Sequence, residues 1–210
     1  MQLHGSLDTF VIGFQPDGLF RLFGVPTNEL TDCDLEAHSV LGSTITRVAE
    51  QLGNSTCFSE RVRIVEQALV PRALRCSSTD AISAAVSAIS AARGSAGIPV
   101  LASNAGISVR QFERRFLQQV GIRPKLFARI ARFEAALEHK VRFSLRPWSE
   151  VAHEFGYYDQ MHMVHDFADF TGVTPSETLN QLEAVYVEQI KSLREQKPAS
   201  TAEDPVRLVF

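Results

Sequence analysis

Apolar and polar positions change period along the chain. From Thr9 to Phe14 they alternate, which predicts a strand, and Pro16-Asp17-Gly18 predicts a turn before a second strand or short helix over Leu19 to Phe23. Two strands do not hold a sheet alone, so they must pack on helices, pair with another chain or be the remnant of a larger sheet. From about Asp34 the period becomes helical. Val40, Leu41, Ile45, Val48 and Leu52 form one stripe ending near Gly53-Asn54. Ser59 is placed to cap a second helix with Val62, Val65, Leu69 and Leu74 on its buried face, and Pro71 is expected to kink or stop it. Residues 75–79 are polar and predict a linker and domain boundary. Asp80 to Arg93, rich in Ala and Ser with Ile82, Val86 and Ile89 at helical spacing, predicts a tightly packing helix stopped by Gly94 and Gly97. Thr174-Pro175-Ser176-Glu177 opens a last helix running to about Glu195, with Leu179, Leu182, Val185, Tyr186 and Ile190 on one stripe. Residues 196–210 lack periodicity and are expected to be disordered.

A repeat lies between residues 98 and 175. Val100-Leu101-Ala102 is followed four residues after the alanine by Gly106, and Val151-Ala152 is followed in the same way by Gly156. Phe112 and Phe116 follow the first glycine, Met163 and Phe167 the second, and Gly121 and Gly172 close the two units. The offset is 50 residues at the alanines and 51 at the closing glycines, so one residue is inserted after the second turn. The small alanine lets two helices approach, the glycine permits a turn with positive φ, and the apolar pair four apart binds the second helix to the first. Ser108 with Gln111 forms a capping box, and Asp159 is placed to cap the matching helix of the second unit. Pro124 opens a helix between the units, with Leu126, Phe127, Ile130, Phe133 and Leu137 on one face, which would act as a rigid spacer. Two similar units at this distance predict a duplicated helix-turn-helix.

These pieces together resemble the DNA-binding domain of the AraC/XylS family of bacterial transcription regulators. The matching text runs from Val100-Leu101-Ala102 through Gly106 to Phe116, then Gly121 and Pro124, and from Gly156 through His162 and Phe167 to Thr171-Gly172-Val173-Thr174-Pro175. The similarity covers about residues 80–178, with units at about 98–121 and 148–172. Residues 9–75, including Gly24-Val25-Pro26 and Glu29-Leu30-Thr31-Asp32, resemble the end of the sensor domain found in one subgroup, without that domain's usual start. The resemblance implies a mainly α fold: tandem helix-turn-helix units joined by a linker helix, preceded by a small α+β remnant (residues 1–75) used for sensing or dimerisation, with an incomplete ligand pocket. It implies double-stranded DNA as partner, with RNA polymerase and a second copy of the chain as candidate protein partners. It names no effector, cofactor or metal.

In this architecture each unit's second helix enters a major groove, and two units on a rigid helix meet successive grooves roughly 34 Å apart. With Phe112 and Phe116 inward, Arg110, Glu113, Arg114 and Leu117 point outward at positions that, by resemblance, read bases. Arginine suits guanine, glutamate accepts from cytosine, and leucine touches a thymine methyl. Arg115, Arg123, Lys125 and Arg129 are candidates for phosphate contacts. On the second unit Gln160, Met161, Val164, His165 and Ala168 take the groove-facing positions, and by resemblance His165 and Ala168 replace basic residues.

Charge counting sharpens the contrast. Twenty-one Lys and Arg against twenty-four Asp and Glu leave a net charge of -3 over the 210 residues. That mild average excludes a polybasic protein but hides a split. Residues 95–146 hold ten Lys/Arg and three Asp/Glu, whereas residues 147–180 hold no Lys or Arg and six Asp/Glu. Each lost phosphate contact flattens the salt dependence of binding by about 0.9. The first unit is therefore expected to dominate DNA binding. The same split motivates the contrasting reading, a protein-interaction module or degenerate regulator whose acidic second unit binds a protein partner.

Other chemistry is sparse. Cys33, Cys57 and Cys76 form no C-x-x-C and fit a reducing cytoplasm, as small buried hydrophobes. No apolar run reaches the roughly 18 residues of a membrane span, and Met1 to Phe10 lacks a secretory pattern. His162, His165, Asp166 and Asp169 with His153 nearby have residue types that suit Zn²⁺ or Ni²⁺, but the family position of His162 assigns it to packing. Trp148, after Pro147 at a helix start, is expected to be a core anchor. No G-x-S-x-G, phosphate loop or H-E-x-x-H is present, so an enzyme is not expected.

Overall fold

The structure is a computed structural model that describes residues 9–33, 35–76 and 80–184. Among them every regular element is helical. In chain order these are α1 (Gly18–Phe23), a 3₁₀ turn (Thr27–Glu29), α2 (Ala37–Leu41), α3 (Ser43–Asn54), α4 (Phe58–Ala73), α5 (Ala81–Ala91), α6 (Ile98–Asn104), α7 (Val109–Val120), α8 (Pro124–Arg142), α9 (Trp148–Glu154) and α10 (Gln160–Thr171). A further helix, α11, occupies residues 175–184. The mainly α architecture is as expected. No described helix is long and apolar enough to cross a membrane. The expected linker residues 77–79, the end of the last helix and the C-terminal tail lie outside the described residues.

Contacts divide the described residues into two compact units: those up to Ala84 with Arg110–Arg123, and Ala85–Val109 with those from Pro124 to residue 184. In the first, the strand expected over Thr9 to Phe14 is absent, with no backbone pairing among the described residues, while the element expected over Leu19 to Phe23 as a second strand or a short helix is a helix, Gly18–Phe23, ended by Gly24 at a φ of 71°. The alternation was nevertheless real. Phe10, Ile12 and Phe14 pack on a cluster of Val48, Ile64, Val65 and Leu69, while Val11 is 80% exposed. An extended segment lying on helices shows the same period of two as a strand, because the period reports one buried side and not hydrogen bonding.

Three further expectations are corrected here. The stripe from Val40 to Leu52 is two helices, broken at Gly42 with a φ of 74°. Cys57, not Ser59, stands at the N-cap of α4, and the Thr56 amide donates to Glu60 Oε2 at 3.4 Å. Leu74 lies beyond the end of α4 and is exposed. Pro71 sits in the last turn of α4, which ends two residues later at Ala73. Helix α5 forms as expected, with Ile82, Val86 and Ile89 buried. Its start is capped by Asp80 Oδ1, which accepts from the Ile82 and Ser83 amides at 2.8 and 3.0 Å. The Ser83 hydroxyl donates to the buried Asp17 carboxylate before α1.

In the second unit α8, α9 and α10 pack on one another. Ala136, Val151, Ala152, Phe155, Tyr157, Met163 and Phe167 are buried together, with Phe133 and Trp148 against them. Phe167 meets the rings of Phe133 and Trp148 edge-on at 4.6 and 5.5 Å. Trp148 is thus the expected anchor, and its Nε1 also donates to Ser176 Oγ at 3.1 Å. After α5 the chain passes so close to α8 that a Cβ on Gly94 would lie 2.0 Å from the Ala128 carbonyl oxygen.

Gly94 and Gly106 both have positive φ, 77° and 66°, but only Gly94 is hemmed in, since nothing lies within 4 Å of a Cβ on Gly106. Gly106→Ala should therefore cost only the backbone strain, about 1–2 kcal/mol. Gly94→Ala should cost about 3 kcal/mol or more, because the clash is with backbone. Urea unfolding followed by Trp148 fluorescence measures both, and equal losses would contradict the close approach at Gly94.

Candidate nucleic-acid interface

The two sequence repeats become two pairs of helices of matching length. Helices α6 and α9 have seven residues each, and α7 and α10 have twelve each. Their turns close in the same way. The Ile107 amide donates to Ala102 O at 3.2 Å, and the Tyr157 amide donates to Ala152 O at 3.0 Å. Gly106 and Gly156 hold φ values of 66° and 69°, which only glycine adopts without strain. The extra residue of the second pair falls between Gly156 and α10. There Asp159 caps the helix, its Oδ1 accepting from the His162 amide at 2.7 Å. Both second helices end at glycines, Gly121 and Gly172, whose amides donate to Leu117 O and Ala168 O at 2.9 Å.

Inward and outward faces follow the expected periodicity. Phe112, Phe116, Met163 and Phe167 are fully buried. Arg110, Glu113 and Arg114 are exposed on α7, and Leu117 is half-buried. On α10, Gln160, Met161, His165 and Ala168 are exposed and Val164 is half-buried. Arg115, Arg123 and Lys125 are also exposed.

The charges of the two helices are handled differently. Arg110, Glu113, Arg114, Arg115, Arg123 and Lys125 enter no salt bridge with any described residue. On α10 the buried Asp166 takes two hydrogen bonds from Arg129 of α8, from Nε at 3.0 Å and Nη2 at 2.7 Å, and Asp169 takes another. These carboxylates, Asp166 foremost, hold the Arg129 guanidinium even more firmly protonated than usual. Arg146 pairs with Glu154, and the buried Lys140 ammonium donates to the carbonyls of Ser144 and Arg146. Arg132 donates to Gly94 O and stacks over Tyr157. Arg129, named from sequence as a phosphate contact, is thus engaged by carboxylates, while the basic side chains on and just after α7 meet no carboxylate among the described residues.

Tyr157 and Asp166 leave a polar residue in this core. The Tyr157 hydroxyl and Asp166 Oδ2 are buried without a hydrogen-bond partner. Burial, with the Asp166 charge behind it, pushes the Tyr157 phenol well above its usual range.

Sequence reasoning missed a set of residues around α7. Within the unit that contains α7, Thr27 Oγ1 donates to Gln118 O at 3.1 Å and Thr31 Oγ1 donates to Gly121 O at 2.9 Å. Gln119 Nε2 donates to Asp80 Oδ2 at 2.9 Å. Burial works against the Asp80 charge, but hydrogen bonds from the Ser83 amide, Gln119 and the Ile82 amide hold its pKa below the usual carboxylate range. Pro26, Asn28 and Glu29 line an open groove of about 310 Å³ with Arg114, Leu117 and Gln118. No local signal foretells contacts between residues some ninety positions apart.

Among the described residues no group of three or more His, Cys, Asp or Glu is placed to hold a metal ion. His162 is exposed, its Nδ1 accepting from the Tyr158 amide at 3.3 Å and its ring edge-on to Tyr157. Cys33 and Cys57 are exposed, correcting the expectation of buried thiols; only Cys76 is half-buried, and all three are free. A hydrogen bond with Ser59 draws the Cys57 thiol below its ordinary pKa.

Residues 101–181 match a family model described as a helix-turn-helix domain. No curated protein and no solved structure matches the chain. The matched segment begins in α6 and ends in α11, so it spans both helix pairs.

Two predictions follow from the charge arrangement in this segment. Arg129→Ala strands the Asp166 carboxylate, only 3% exposed, and should destabilise the protein by about 3 kcal/mol. Asp169→Ala removes an exposed partner and should cost under about 1 kcal/mol, both read from urea midpoints. Raising the pH through 10, the ordinary tyrosine value, ionises Tyr157 in the unfolded chain while the folded chain keeps its proton. Stability should fall there with rising pH, and Tyr157→Phe should reduce that fall. An unchanged alkaline slope in the variant would refute the assignment.

Proposed function

We propose that the protein is a sequence-specific DNA-binding transcriptional regulator of the AraC type that binds mainly through α7. The helix-turn-helix match over residues 101–181 supports the class. The observation that carries the emphasis on α7 is the state of its charges. Among the described residues Arg110, Glu113 and Arg114 stand exposed and without a salt bridge on the face opposite the buried Phe112 and Phe116, as do Arg115, Arg123 and Lys125 beside them. Free arginines cost nothing to withdraw from partners when they meet a guanine edge or a phosphate. In this reading Arg110 and Arg114 read guanine, Glu113 accepts from cytosine, and Leu117 touches a thymine methyl. Arg115, Arg123 and Lys125 hold phosphates.

Helix α10 is the weaker reader. Gln160, Met161, Val164 and His165 present one amide, two apolar groups and an imidazole. Asp166 and Asp169 hold Arg129 in an internal ion pair. Binding is then carried by one strong contact helix, and a regulator of this design gains little phosphate affinity from its second pair.

The test begins with selection of bound sequences from random DNA using the full chain. On the selected site Arg114→Ala should weaken binding tenfold or more, since a bidentate base contact is worth about 1–3 kcal/mol. His165→Ala should change it less than about threefold, within what a surface substitution does. Lys125→Ala should lower the slope of log K against log salt by about 0.9. Equal losses from Arg114→Ala and His165→Ala would defeat the emphasis on α7. Absence of binding at low salt, with a protein co-purifying, would favour a protein-interaction module.

A further inference from the structure

The last turn of a helix leaves carbonyls without intrahelical donors, and something must supply them. At α7 the donors come from far away in sequence. Thr27, itself buried, gives its hydroxyl to Gln118 O, and Thr31 gives its hydroxyl to Gly121 O. Gly121 makes room for this. It is buried with a φ of 91°, and a Cβ there would lie 3.0 Å from Thr31 Oγ1 and 3.2 Å from Thr27 O. Gln119, from the same turn, reaches Asp80. The end of α7 and the glycine after it are thus held at three places by residues outside the helix-turn-helix segment, all within one compact unit.

We infer that Thr27 and Thr31 form a clasp that positions α7, so that DNA affinity depends on the region before residue 80 as well as on the helix-turn-helix segment. The inference rests on the reading of α7 as the main DNA-contacting helix. Its physical basis is local. Leu117, the last base-facing residue, lies one turn before Gly121, and its carbonyl accepts from the Gly121 amide. A fraying last turn would release Leu117 and then Arg114, and every phosphate contact after the helix, from Arg123 to Lys125, starts from the same turn. The clasp also borders the reading face, since Pro26, Asn28 and Glu29 share a groove with Arg114 and Leu117. Thr27 and Thr31 are positioning residues here and need not touch DNA.

The experiment compares the full chain with a Thr27→Val/Thr31→Val variant and a Thr27→Ser/Thr31→Ser variant. The valines keep the shape and remove both donors; the serines keep the donors. Amide hydrogen exchange is measured over residues 117–122, and binding is measured by fluorescence anisotropy on the selected DNA site. In the valine variant, exchange over 117–122 should quicken roughly tenfold and DNA binding should weaken by a similar factor, as expected for two lost hydrogen bonds. Exchange in α10 should stay unchanged, and the serine variant should behave as the parent. Unchanged exchange over 117–122 overturns the clasp. Quickened exchange with unchanged affinity overturns its link to DNA binding. If the parent chain binds no DNA at low salt, the reading of α7 fails while the exchange result still decides whether the clasp exists.

Discussion

A carboxylate removed from water must find a cation or donors, and Asp166 is the place in this protein where that requirement organises most around it. It is 2% exposed, on the inner face of α10, and meets both Nε and Nη2 of Arg129 from α8. Breaking such a pair from one side leaves a buried charge, which is far more costly than never having built it. The pair therefore fixes the register of α10 on α8 while the Phe133, Trp148 and Phe167 rings supply the apolar contact. It also removes Arg129 from the pool of charges available to any partner. The same interaction that holds the second helix pair in place limits what that pair can bind.

The basic and acidic stretches thus have different fates. In the second unit Arg129, Arg132, Lys140 and Arg146 are drawn into ion pairs, carbonyl contacts and ring stacking. The basic residues of α7 and of the turn after it find no ion-pair partner among the described residues. A linear count of charge shows a positive segment followed by a negative one; in the folded chain much of the negative segment is neutralised by the far end of the positive one. The charges of α7 and the turn after it stay exposed and unpaired among the described residues, and those charges, more than the total, are what a polyanion would meet there.

The end of α7 depends on residues that precede it by about ninety positions. Thr27 donates to the Gln118 carbonyl in its last turn and Thr31 to the Gly121 carbonyl just beyond it, and Gly121 admits them because it has no side chain. A helix whose terminus is completed by another part of the chain inherits that part's integrity. This ties the N-terminal region to the candidate contact surface by two hydrogen bonds and one missing Cβ.

Local periodicity was enough for much of this protein. The buried stripe of α5, the two matching turns at Gly106 and Gly156, the caps at Asp159 and Thr174, and the inward pairs Phe112/Phe116 and Met163/Phe167 were legible because each depends on residues three or four apart. Where local signals coincide for two structures, sequence misled. Thr9 to Phe14 alternates as a strand does, yet it lies on helices with no backbone partner among the described residues, and the stripe from Val40 to Leu52 reads as one helix because periodicity does not show the positive φ of Gly42. The candidate site divides in the same way. Which side chains of α7 and α10 face outward followed from the 3.6-residue repeat. Which of them keep their charge, and what completes the end of α7, depended on Asp166 meeting Arg129 and on Thr27 and Thr31 reaching Gln118 and Gly121. Those are meetings between residues distant in sequence, and only the folded chain brings them within hydrogen-bonding distance.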